Sequence, residues 1–191
     1  MTISNSKTLY TVAVFSENCV GLLNQVAIIF TRRKLNIETL TGSPSSIKGV
    51  HKTTITTYTD KATIEKVVLQ IEKCIDVLKA FYYTDDEIVF QEVALYKVPT
   101  EHLINEPNLE LIIRKYNARV LDITHEYTVI EKTGQNEEVE ALFEEFKRYG
   151  IRQFVRSGRV AITKSPAEYV SMFIDDQEKR RRPKEIWNEK E

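Results

Sequence analysis

The chain has 191 residues, 42% of them hydrophobic, with 27 Lys and Arg against 28 Asp and Glu and a formal net charge of -1. That is enough apolar material for one or two cores, and a near-neutral surface argues against nucleic acid as the main partner, because phosphate neutralisation needs a basic surface. No apolar run approaches the ~18 residues that span a bilayer, the N-terminus lacks the basic and apolar regions of a signal peptide, and two cysteines, Cys19 and Cys74, make no disulfide framework; the expectation is a cytoplasmic chain that binds neither membrane nor nucleic acid.

Leu9–Phe15 reads as a strand, and Gly21–Lys34 as a helix with Leu22, Val26 and Ile29 on one stripe and Leu23, Ala27 and Phe30 beside it. Arg32, Arg33 and Lys34 suit the negative end of that helix. Strands follow at Asn36–Ser43 and Lys52–Tyr58, joined by the turn-rich Gly42–Gly49 segment. Asp60 can cap a helix over Ala62–Cys74 with stripe Ile64, Val68, Ile71 and Ile75, and Val77–Tyr83 is a strand. This order is βαββαβ, the ferredoxin-like arrangement of two helices on one face of an antiparallel sheet.

After a short acidic link, Thr84–Glu87, the order repeats. Strand Ile88–Val98 leads to a helix near Asn108–Tyr116 that Pro107 starts and Asn117 ends in a left-handed cap. Strands Arg119–Thr124 and Glu126–Lys132 come next. Asn136 can cap a helix with stripe Val139, Leu142, Phe143 and Phe146, ended by Gly150. Strand Ile151–Arg156, a Ser157-Gly158 turn and a short strand Val160–Thr163 close the second unit. The predicted class is α+β, with two ferredoxin-like βαββαβ domains at 1–84 and 85–165 and a charged tail at 166–191. In that tail the charge run Gln177–Pro183 and Trp187 read either as a solvated end or as a docking element.

The chemistry-bearing feature is Asn18-Cys-Val-Gly21 between the first strand and helix, with Asn36-Ile37 one helix length later. The first amides of a helix have no internal partner and lie at the positive end of its dipole, so such a turn can hold a carboxylate. Gly21 lets a ligand approach the backbone, and Asn18 offers a donor and an acceptor. On the residues alone, Asn18 as a simple cap and Gly21 as a simple turn residue remain an open reading, since caps greatly outnumber ligand sites. Cys19, near a helix N-terminus, has the setting of a reactive thiol but no basic neighbour in sequence. His51, His102 and His125 are scattered, no metal-ligand spacing occurs, and neither a nucleophile elbow nor a phosphate loop is present; no catalytic or metal-binding residue is predicted.

Glu17-Asn-Cys-Val-Gly-Leu-Leu23, Phe30-Thr-Arg-Arg33, Asn36-Ile-Glu-Thr-Leu40, Gln70-Ile-Glu-Lys73, Asp76-Val-Leu78 and Glu92–Val98 together resemble the N-terminal ACT domain and its continuation in the acetolactate synthase small (regulatory) subunit. Ala118–Thr124 and Val155-Arg-Ser-Gly-Arg-Val-Ala161 extend the likeness through the second half, which generic ACT domains lack. Two departures stand out: Cys19-Val20 where Pro or Ser commonly precedes the glycine, and a long extension after Ser165. The resemblance implies a non-catalytic subunit that activates a large catalytic subunit and confers feedback inhibition by a branched-chain amino acid, valine first. It also implies a homodimer through the ACT domains, with the effector held by Asn18, Gly21 and Leu22 of one subunit and Asn36 and Ile37 of the other. Thiamine diphosphate, Mg and FAD are expected on the catalytic partner and none of them on this chain. A free-standing ACT-domain sensor would need a DNA-binding element, and a small ferredoxin-like enzyme a catalytic constellation; neither is found in the sequence.

Overall fold

The computed structural model describes residues 7–105, 107–166, 170 and 172–173. The expected charge run Gln177–Pro183 and Trp187 lie outside the described residues. In the first unit, β1 (Thr8–Glu17), α1 (Leu22–Arg32), β2 (Thr39–Pro44), β3 (Val50–Thr59), α2 (Lys61–Ile71) and β4 (Val77–Tyr83) follow in chain order. Its antiparallel sheet has the order β2-β3-β1-β4. In the second, β5 (Ile88–Pro99), α3 (Thr100–Asn105), α4 (Pro107–Lys115), β6 (Arg119–Ile123), β7 (Tyr127–Gly134), α5 (Asn136–Lys147) and β8 (Gln153–Arg156) form the order β6-β7-β5-β8. The fold is α+β, two ferredoxin-like βαββαβ units, as the alternation of periods predicts. A further strand, β9 (Val160–Thr163), pairs only with the first residues of β5, Ile88–Gln91.

Each sheet buries one face under its helices. In the first core Val12, Val14 and Ile55 meet Leu22, Val26, Ile29 and Phe30 of α1 and Ile64, Val67, Val68 and Ile71 of α2. In the second, Ala94, Tyr96, Val98 and Ile130 meet Leu109, Ile112 and Ile113 of α4 and Val139, Leu142 and Phe146 of α5. The buried Tyr96 hydroxyl donates to the Val139 carbonyl at 2.8 Å, which satisfies a group that would otherwise be costly there.

Local signals account for most helix ends. Asp60 accepts from the Thr63 hydroxyl at 2.7 Å and from the Thr63 amide at 2.9 Å, and these bonds, the hydroxyl's first, hold its carboxyl below the usual range. Asn117 and Gly150 take left-handed conformations at φ 50 and 70. Four readings fail. The α2 stripe uses Val67 in place of Ile75: the helix ends at Ile71, and Ile75, in the turn beyond it, is 93% exposed. Leu23, in the first turn of α1, is 50% exposed, although Phe30 two turns further along the same side is buried. Asn136 is already helical; Gln135 holds the cap position without a side-chain bond, and Asn136 Oδ1 accepts from Arg156. The helix α3 was not foreseen, being only one and a half turns long and directly continuous with β5.

The two units are tied together. The link forms a short 3-10 turn, Asp85–Glu87, closed by reciprocal bonds between Thr84 and Glu87. Arg159, in the β8–β9 connection, is 6% exposed. Its guanidinium donates to Asp85 Oδ1 at 2.6 Å and to Thr11 Oγ1 of β1 at 3.4 Å, with Nε 3.6 Å from the buried Glu92. It also stacks 3.9 Å from the centre of the Phe90 ring. Beside it, a Cβ on Gly158 would collide with the Thr41 hydroxyl and stand 3.2 Å from Thr39 Cβ, so only glycine lets this turn lie on β2.

Candidate functional site

The loop between β1 and α1 is pinned at its start, where the Glu17 amide donates to the Asp76 carbonyl at 2.9 Å. Gly21, at φ 90, turns the chain into α1. The first true helical bond is from Gln25 N to Gly21 O at 3.1 Å, and Leu22 N reaches Cys19 O only at 3.5 Å. The amides of Leu23 and Asn24 therefore have no backbone partner among the described residues. No side chain caps the helix and no acidic residue lies in its first turn, so no first-turn carboxylate compensates the positive dipole end. The simple capping role for Asn18 does not hold: its side chain is exposed and caps nothing.

Leu22 occupies a different place from the one expected of an apolar wall. Its side chain is 6% exposed within the first core, so only its backbone faces the loop, while the neighbouring Leu23 is 50% exposed. Cys19 does not have a reactive setting. Desolvation, a hydrogen bond to Asp76 and the nearby acidic charge all push its thiol up, away from the thiolate. Both cysteines are free.

Asn36 and Ile37 lie between α1 and β2. Asn36 Nδ2 donates to Glu38 Oε1 at 2.9 Å, and its backbone carbonyl accepts from the Thr57 hydroxyl at 2.7 Å. That leaves Oδ1 as an acceptor on the surface. Ile37 is half-buried against the first core. Within one chain the structure does not bring Asn18, Gly21 and Leu22 together with Asn36 and Ile37. They sit at opposite ends of α1, an 11-residue helix about 16 Å long at ~1.5 Å per residue.

Next to Asn36 and Ile37, β2 is an edge strand of the first sheet. Its outer row of backbone groups is unpaired among the described residues, a ready template for another strand. Exposed apolar side chains lie nearby on α1 and β2: Leu23, Ile28 and Leu40. His51, His102 and His125 fall on separate elements, and no group of three or more His, Cys, Asp or Glu that could hold a metal occurs among the described residues. No described helix is long and apolar enough to cross a membrane.

Comparison with known proteins matches both units. Residues 12–79 fit the family model of the small-subunit-like ACT domain, and residues 91–165 fit that of the small subunit of acetolactate synthase. The chain is 31% identical to the acetolactate synthase small subunit of Mycolicibacterium smegmatis, over 86% of this chain and 96% of that one. It is likewise 31% identical to that of Bacillus subtilis, over 86% and 95%. The crystal structure of the small subunit from Thermotoga maritima superposes with a TM-score of 0.75 at 25% identity, covering 83% of this chain and 99% of that one. The two repeated units, the Asn18–Gly21 loop and these matches along nearly the whole described chain make it a member of the acetolactate synthase small-subunit family.

Proposed function

We propose that the chain is the regulatory subunit of acetolactate synthase: it binds the catalytic large subunit, raises its activity and makes it sensitive to a branched-chain amino acid, valine first. The large subunit carries the thiamine diphosphate, Mg and FAD; this chain contributes no catalytic group. In this reading residues 1–84 bind effector and dimerise, and residues 85–165 act on the catalytic partner. The cytoplasm is its place of work.

The observation that carries the effector site is the separation of its halves along α1. A two-fold axis beside α1 and the free edge of β2 would set the loop of one subunit against Asn36 and Ile37 of its partner, and the reverse, giving two equivalent sites. The amino-acid carboxylate then meets the unpartnered amides after Gly21, with Asn18 beside it. The ammonium meets Asn36 Oδ1, and the aliphatic side chain meets Ile37 and Leu23 across the interface. Ligand held by two subunits biases their arrangement, which is the requirement for inhibition at a distance.

Calorimetric titration with valine, leucine and isoleucine tests this reading. The expected result is saturable binding of at least one of them. Asn36→Ala should weaken it about tenfold, the value of one hydrogen bond to a charged group. Undiminished binding by a folded Asn36→Ala variant would remove Asn36 from the site.

A further inference from the structure

The first sheet has a second face, turned away from α1 and α2, built in cross-strand rows. Tyr83, Thr11, Thr56 and Thr39 make one row, Phe81, Ala13, Thr54 and Thr41 the next, and Lys79, Phe15, Lys52 and Ser43 the third. The Gly158 turn and Arg159 lie on the first row. The β5–β9 ribbon continues over the others, with Lys52 Nζ donating to the Ala161 carbonyl. Between ribbon and sheet remains a cavity of about 500 Å³, within the size range of small-molecule sites.

Its walls have an uneven chemistry. Phe15, Phe81, Ile88 and Val170 supply hydrocarbon, and Ser43 and Ser46 supply hydroxyls. Lys52 is the one cation among the described lining residues, which include no Asp or Glu. It lies 5.7 Å from the Phe15 ring centre, and no carboxylate pairs with it among the described residues. Burial disfavours its charged form. A half-buried cation with no counter-charge among the described residues gains most from an anion that brings its own apolar body into the cavity.

We propose that this cavity is a second small-molecule site, separate from the Asn18–Gly21 loop, that takes a monocarboxylate with a hydrocarbon body. The carboxylate pairs with Lys52 Nζ and the hydroxyls of Ser43 and Ser46; the body lies against Phe81, Ile88 and Val170. The site disfavours zwitterionic amino acids, because no carboxylate among the described lining residues receives an ammonium. A bound molecule would touch both the first sheet and the ribbon of the second unit, so it would bear on how the two are held.

Calorimetry on the full chain with 3-phenylpropionate, its neutral amide 3-phenylpropanamide and phenylalanine tests the proposal. The expected result is saturable binding of the carboxylate, one per chain, at least tenfold tighter than that of either comparator. Lys52→Met should erase the preference for carboxylate over amide, and Lys52→Arg should keep it. Saturating valine should leave the 3-phenylpropionate affinity unchanged. The wild-type comparison stands even if a variant fails to fold. Absence of saturable 3-phenylpropionate binding, equal affinity for acid and amide in the wild type, or displacement by valine would each overturn the proposal.

Discussion

Arg159→Met is expected to destabilise the protein by about 3 kcal/mol, the low end of the range for breaking a buried ion pair. Arg159 is held among Thr11, Asp85 and Glu92, and Glu92 is only 4% exposed. Removing the guanidinium leaves that carboxylate buried with weak compensation, since Arg156 Nε remains 3.5 Å from Glu92 Oε2. Methionine keeps much of the volume and the contact with Phe90, so the loss is electrostatic rather than a cavity. The double variant Arg159→Met/Glu92→Leu should recover part of the stability, because the uncompensated charge is gone. Urea unfolding measures both. A single-variant loss below about 1 kcal/mol would mean that the network contributes no more than an exposed surface pair.

In the reconstituted enzyme, Gly21→Asp is expected to raise the valine concentration needed for inhibition a hundredfold or more. In the proposed site the new carboxylate stands against that of the effector, and like charges juxtaposed in an interface cost on the order of several kcal/mol. The backbone adds a second effect. Gly21 has φ 90, so any side chain there is strained although its Cβ would meet nothing within 4 Å. That strain is worth about 1–2 kcal/mol and lowers stability whatever the substituent. Gly21→Ala carries the strain without the charge, and the difference between the two variants isolates the electrostatic effect. Similar melting temperatures with a large gap in valine sensitivity is the expected pattern. Equal valine sensitivity in the two variants would place the effector elsewhere.

The parts of the molecule legible in sequence are those set by local rules. The period of Leu22, Val26 and Ile29 marked a helix, alternation in Thr53–Tyr58 marked a strand, Asp60 marked a helix start through its capping side chain, and Asn117 and Gly150 marked helix ends through their left-handed backbone preference. Ile75 misled because its spacing continues the stripe past Ile71, and periodicity alone carries no stop signal there. Lys34 takes a left-handed φ of 54 at the end of α1, a position where sequence would favour glycine.

The least legible features rest on contacts distant in sequence. Arg159 lies within the segment matched by the small-subunit family model, but its burial depends on Thr11, 148 positions away. Lys52 alternates along β3 like any solvent-facing residue, and only the arrival of Ala161, 109 positions later, encloses it. For the candidate effector site, the sequence supplied the residues and the chemistry of the loop. The separation of its halves by one helix length was legible there too, whereas the burial of Leu22 and the raised thiol of Cys19 came from packing that no local pattern encodes.

Whether this chain regulates a separate catalytic subunit is decided by reconstitution. Acetolactate formation from pyruvate would be measured for the large subunit alone, for this chain alone, and for the two together with and without valine, all with thiamine diphosphate, Mg and FAD supplied. The expected result is no product from this chain alone, a several-fold rise when it joins the large subunit, and suppression of that rise by valine or another branched-chain amino acid. A large subunit whose rate is the same with and without this chain, or acetolactate made by this chain by itself, would contradict it.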